Sequence, residues 1–181
     1  MRPLNGLMAS WLVAAALLTA QPAPSAVAFT LTQEKATISV PASFSAKVVG
    51  VKDGDTVEIL YGGYSLRVRL AHIDAPESGQ PFGKAAKQRL AALCHGKVVK
   101  VERAGRPDRY GRLISVLYAD GVNVNRSMVR SGYAWHFTKY SKDASYAEAQ
   151  REARAGKRGL WGDPGAISPW DWRAARRGRK R

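Results

Sequence analysis

The sequence predicts an α+β protein that is mainly β, a five-stranded OB-fold barrel with three helices. Three observations carry that prediction. Apolar residues alternate with polar ones in five short stretches, at 44–51, 56–61, 64–73, 98–103 and 113–118. The turn signals Asp53-Gly54 and Gly62-Gly63 join the first three stretches into a meander. One segment of helical spacing falls between the third stretch and the fourth, which is the order of an OB-fold.

The elements follow in order. Arg2 and an apolar run at 7–20 are broken by Pro22 and Pro24, and Ala26-Val27-Ala28 has the small-x-small form of a cleavage site. Residues 1–28 therefore read as a signal peptide and Phe29 as the mature start; an uncleaved anchor is the alternative. Residues 29–42 read as a linker or an early edge strand, and 43–172 as the folded domain. Val48, Val49 and Val51 mark the first strand, and Thr56, Val57, Ile59 and Tyr61 the second. On the third, Leu66, Val68 and Leu70 share one face and Arg67 and Arg69 the other, until Pro76 forces a turn. Pro81 suits a first helical position. Phe82, Ala85, Ala86, Leu90 and Leu93 recur at helical spacing, and Gly96 suits the cap. A loop with three arginines, 105–112, separates the last two strands. Asn123 and Asp143 can each cap a further helix, ending near Gly132 and Gly156. Gly159-Leu160-Trp161-Gly162 and Pro169-Trp170-Asp171-Trp172 read as aromatic closing segments. From Arg173 on, six of nine residues are Arg or Lys, which reads as a basic disordered tail over 173–181.

Charge narrows the partners. A net charge of +15, from 29 basic and 14 acidic residues, points to a polyanion. Nucleic acid comes first and an anionic membrane surface, met weakly through the basic tail, second. The single cysteine, Cys94, excludes an internal disulfide and sits on an apolar helical face, so it reads as a buried inert thiol. Nothing in the sequence demands more than a monomer.

The few acids are spent in telling places. Asp55 begins the second strand and Asp74 ends the third, so an antiparallel meander puts them at one end of the sheet. Two carboxylates, a backbone carbonyl and water make an oxygen-only site of the kind that suits calcium or magnesium. His72, His95 and His136 are scattered and do not support zinc. Arg69 lies near Asp74, and Arg112 follows a loop that can fold over the same end. Guanidinium groups suit bidentate phosphate contact. Glu77 is left to orient or deprotonate a water. Singly, each acid also reads as a turn former and each arginine as a solvated charge; the combination is more specific than any member.

Asp53-Gly54-Asp55-Thr56, the segment 69–77 and Asp108-Arg109-Tyr110-Gly111-Arg112 together resemble the three signature segments of the staphylococcal nuclease family, in the same order and spacing. The likeness runs from about Ser43 to Trp161. It implies an OB-fold endonuclease that uses calcium to cleave phosphodiesters in DNA and RNA, leaving 3′-phosphates. By position, Asp55, Asp74 and the Ala75 carbonyl would hold calcium, and Arg69 and Arg112 the phosphate. Glu77 would be the general base or water-positioning group. Arg109 and Tyr110 would contact the substrate's phosphate and sugar, and Tyr140 or Trp135 would stack on a base or pack in the core. With the signal peptide, the expectation is a secreted or periplasmic enzyme. Three features depart from the family pattern. The connection after Glu77 is short, Thr138 stands at one of two tyrosine positions, and Ala75 stands where threonine is common. The competing reading is a non-catalytic OB-fold module that binds nucleic acid.

Overall fold

Alternation of side chains closes the barrel. The computed structural model describes residues 29–33 and 36–178; the expected signal peptide and the last three residues of the expected tail lie outside the described residues. A hairpin of β1 (Phe29–Gln33) and β2 (Ala36–Val40) comes first, where the sequence left a linker or an edge strand open. Next are β3 (Ser43–Val51), β4 (Thr56–Tyr61) and β5 (Tyr64–Leu70). Phe44, Ala46 and Val48 of β3 point inward while Ser43, Ser45 and Lys47 face out. Gly62 and Gly63 both adopt positive φ, at 57° and 84°, as the β4–β5 turn requires.

The third strand is shorter than the sequence suggests. β5 stops at Leu70, His72 adopts φ 68°, and β6 (Ile73–Asp74) then pairs with a different strand, β10 (Trp135–His136). Periodicity carried the reading through to Ile73 because Leu70 and Ile73 are both buried. A single left-handed residue is invisible to that pattern. Helix α1 (Gly83–Cys94) follows, with Pro81 in the turn before it rather than at its first position. Ala86, Leu90 and Cys94 form its buried stripe, and burial pushes the Cys94 thiol up to about 12.

Strand β7 (Val98–Arg103), β8 (Leu113–Ala119) and the short β9 (Val122–Asn123) complete the sheet, in the order β5-β4-β3-β7-β8-β9. The parallel pairing of β5 with β8 closes it into a five-stranded barrel, with Val68 beside Leu113 and Leu70 beside Ser115. Val48, Val57, Ile59, Val68, Val101 and Leu117 fill the interior without measurable exposure. Helix α2 (Val124–Arg130), β10 (Trp135–His136) and α3 (Ala144–Ala155) pack against this end, capped as expected by Asn123 and Asp143.

Two further elements correct the expectation of three helices and a disordered tail. A 3-10 turn covers Gly159–Gly162, and helix α4 runs over Pro169–Gly178. The basic tail is therefore helical through most of its length. Trp170 anchors α4 by stacking on Phe137, with ring centroids 5.4 Å apart and planes 3° from parallel, and by meeting Trp135 edge-on. Composition suggested disorder because so basic a run cannot make a core of its own. Here Asp74 and Glu77, far back in the chain, supply counter-charge to Arg173 at the start of the run.

Candidate active site

Arg69 is the centre of the acidic end of the barrel. Its Nη1 donates to the carbonyls of Leu70 and Ile73, at 2.8 and 2.9 Å. The positive φ of His72 curls the chain so that both carbonyls face one guanidinium. Its Nη2 donates to Asp74 Oδ1 at 2.9 Å and lies 3.1 Å from Asp55 Oδ2. The two carboxylates that strand geometry placed at one end thus converge on one arginine. The N–H of Ala75 donates to Asp55 Oδ2 at 2.8 Å and the Thr56 hydroxyl to Asp55 Oδ1 at 3.1 Å.

The backbone around these acids is clamped. Asn125, fully buried on α2, donates to the carbonyls of Ala71 and Ser115 and accepts from Leu117 N–H. Leu70 N–H donates to the Asp55 carbonyl at 2.8 Å. Gly54 touches both the Ala75 loop and α1 so closely that a Cβ there would fall 2.7 Å from the β-carbons of Ala75 and Ala86. A Cβ on Gly83 would fall 2.0 Å from the Glu77 carbonyl oxygen, so the first residue of α1 fixes the Glu77 turn from below. Gln80 accepts from Glu77 N–H at 3.1 Å and donates to the Ile167 carbonyl at 2.7 Å, tying that turn to the approach of α4.

Helix α4 then delivers a residue that sequence reasoning assigned to the tail. Arg173 donates from Nη2 to Asp74 Oδ2 and from Nη1 to Glu77 Oε1, both at 2.6 Å, with a longer 3.4 Å contact to Asp74 Oδ1. One signal could have found it: Trp170, Arg173 and Arg177 share a helix face at spacings of three and four.

Charge at the site is out of balance in a useful way. Asp55, Asp74 and Glu77 gather about Arg69 and Arg173, and Asp53 accepts from the N–H of Asp55 behind them. Burial, with the Asp55 charge, pushes the Asp53 carboxyl up to about 6. Burial also pushes Asp74 up, and Arg173 and Arg69 pull it only partly back. For Arg173 burial favours the neutral form, but Asp74 and Glu77 outweigh it and raise the guanidinium further.

The remaining expected residues form the neighbouring loop. Arg112 donates from Nε to Asp108 Oδ2 at 2.8 Å, with Nη2 2.7 Å from the same oxygen. Asp108 also accepts from the N–H groups of Tyr110 and Arg112. Burial works to raise the Asp108 carboxyl, but these donors hold it below the usual carboxylate range. Arg109 lies over the Tyr110 ring, 4.8 Å from its centroid, and Tyr110 is 65 % exposed. Thus the described contacts of Arg112 go to its own loop rather than to Asp55, Asp74 or Glu77. Tyr140 is 71 % exposed and lines a cleft of about 580 Å³ with Arg109, Lys139, Trp170, Arg173 and Arg177. Trp135 is half-buried and packs against Trp161 and Trp170, outside the lining of that cleft.

A closed barrel that gathers buried carboxylates, a chelating arginine and a basic cleft at one rim is the framework of a hydrolase of the nuclease class. Comparison with known proteins agrees. Residues 67–163 match the family model described as staphylococcal nuclease homologue. A micrococcal nuclease of Shigella flexneri is 46 % identical over 151 residues, which cover 76 % of this chain and 86 % of that protein. Uncharacterized endonucleases of Escherichia coli and Haemophilus influenzae are each 44 % identical, over 73 % and 71 % of this chain and 86 % and 72 % of theirs. The chain belongs to the staphylococcal nuclease family.

Nucleases of this family are generally calcium-dependent. Among the described residues no three His, Cys, Asp or Glu side chains form a ready-made metal cage. The donor chemistry nonetheless fits a hard cation. Asp55 and Asp74 offer carboxylate oxygens backed by a rigid, buried turn, and the acids there outnumber the cationic side chains that bind them.

Proposed function

We propose that this nuclease is an exported, monomeric, calcium-dependent endonuclease that hydrolyses DNA and RNA with little sequence preference, leaving 3′-phosphates. The observation that carries the reading is the convergence of Asp55 and Asp74 on Arg69, with Glu77 at the same rim. Asp55, Asp74 and the Ala75 carbonyl would hold calcium, which when bound supplies positive charge against the reacting phosphate.

The chain's own residues account for the remaining chemistry. Arg69 is held in place through Nη1 by two backbone carbonyls, and its Nη2 can turn to a phosphate oxygen when Asp55 and Asp74 take calcium instead. Arg112 swings from Asp108 to a second phosphate oxygen. The side chain of Glu77 is 44 % exposed, so its carboxylate can reach solvent and orient or deprotonate the attacking water. The water oxygen bonds to phosphorus, the bond to the 5′-oxygen breaks, and the leaving oxygen takes a proton. The products are a 3′-phosphate and a 5′-hydroxyl. Arg109, Tyr110 and Tyr140 flank the path of the strand, where a base can stack on the exposed Tyr140 ring. Phosphate contacts would dominate binding, so affinity should fall steeply with salt.

The test is release of acid-soluble nucleotides from denatured DNA and from RNA, with calcium, magnesium or chelator, followed by end-group analysis. Calcium-dependent release ending in 3′-phosphates is the expected result. Salt-sensitive binding with no cleavage under either metal would leave the OB-fold binding module instead. Recovery of the protein starting at Phe29 from the medium or periplasm would bear out export.

A further inference from the structure

Arg173 stands where the calcium reading needs open carboxylate oxygens. Asp74 is 1 % exposed, and its Oδ1 already receives Arg69. Its other oxygen, Oδ2, receives Arg173 at 2.6 Å, and the same guanidinium holds Glu77. A fork that bridges both carboxylates is a strong, charge-assisted contact, buried at Asp74 and open to solvent at Glu77. It is also an exchangeable one. Arg173 also lines the basic cleft beside Arg109, Lys139 and Arg177, where a phosphate drawn in by those cations would give its guanidinium another acceptor. Trp170 keeps α4 seated through Phe137 and Trp135, and Gln80 ties Ile167 to the Glu77 turn, so the exchange needs only the Arg173 side chain to move.

We infer that Arg173 is a partner-exchanging arginine: it holds Asp74 and Glu77 in the metal-free site, gives them up when calcium binds, and then takes a phosphate of single-stranded nucleic acid in the cleft. The inference rests on the calcium reading of Asp55 and Asp74. It adds α4 to the substrate-binding surface and makes calcium and substrate cooperative, because each favours the same released arginine. A resting contact that must be given up lowers the apparent calcium affinity by the fraction of time the site stands open.

Calcium titration of the full chain by calorimetry, without nucleic acid, separates the outcomes. Arg173→Ala should bind calcium about tenfold more tightly than the unaltered protein. Arg173→Lys, which keeps the charge but not the fork, should fall between them and guards against a variant that fails to fold. Arg177→Ala, which removes a cleft cation without a carboxylate contact, should leave calcium affinity unchanged. On single-stranded DNA at saturating calcium, Arg173→Ala and Arg177→Ala should both raise KM more than they lower kcat. Equal or weaker calcium binding by Arg173→Ala overturns the exchange while leaving the nuclease reading intact, and so does an unchanged KM. Failure of both the unaltered protein and Arg173→Ala to bind calcium overturns the exchange and the calcium reading together.

Discussion

Two arginine–carboxylate groups flank the same rim, and they are built differently. Arg69 is 14 % exposed along its side chain and is held by two backbone carbonyls as well as Asp55 and Asp74. Arg112 is 26 % exposed, and among the described residues the carboxylate it meets is that of Asp108, in its own loop. The first group is fixed by the fold, and its charges cannot relax without cost. The second can change partner by moving one side chain. A phosphate site needs both kinds: a rigid anchor that sets position, and a mobile donor that follows the charge as it develops.

Removing each arginine tests that contrast most severely. Arg69→Ala leaves Asp55 without its counter-charge and Asp74 with Arg173 alone, so it should cost about 3 kcal/mol of stability and abolish measurable cleavage. Arg112→Ala should also cut cleavage by at least about 100-fold, yet cost no more than about 1 kcal/mol. Paired melting and rate measurements on the two variants decide it. Equal stability losses would erase the distinction.

Next in size is the clamp behind the rigid group. Asn125→Ala leaves the Ala71 and Ser115 carbonyls and the Leu117 N–H to find other partners in a buried place. A loss of about 3 kcal/mol by denaturant unfolding is expected, against almost none for Asn123→Asp, which keeps a capping acceptor. Gly83→Ala should act more locally. Its new methyl would push on the Glu77 carbonyl, lowering kcat about tenfold or more while leaving calcium affinity little changed.

The contrast also explains what could be read from the sequence. Strand alternation, the Gly62-Gly63 turn and the caps at Asn123 and Asp143 are local, and the sequence displays them directly. Asp55, Arg69 and Asp74 were legible because a meander forces the start of one strand and the end of the next to one side. Asn125, Gln80 and Arg173 were not, because each acts on residues far away in the chain. Asn125 meets Ala71, Gln80 meets Ile167, and Arg173 meets Asp74 and Glu77. The α4 helix was missed for the same reason. A basic run looks unstructured until the rings that seat it, Phe137 and Trp135, and the acids that take Arg173 are placed beside it.

The smallest expected effect comes from His136, on the strand that pairs with Ile73 and Asp74. Burial lowers the pKa of His136 from 6.5, aided by the His72 charge and opposed by Asp143. The unfolded chain therefore binds more protons than the folded one as pH drops below 6.5, and stability falls with it. Melting of the unaltered protein and His136→Gln between pH 7.5 and about 5 should converge or cross as the acid side is approached. A difference independent of pH would show that His136 stays uncharged, or equally charged, in both states.

Glu77, held by Arg173 beside Asp74, is the carboxylate on which the proposed cleavage at this rim depends. Hydrolysis of denatured DNA by Glu77→Gln at fixed calcium, read beside its melting temperature, tests this most directly. A rate lowered by about 10²–10⁴-fold, in a protein that melts within a few degrees of the unaltered one, is the expected result. Cleavage at the unaltered rate would contradict the claim and move the chemistry away from this rim.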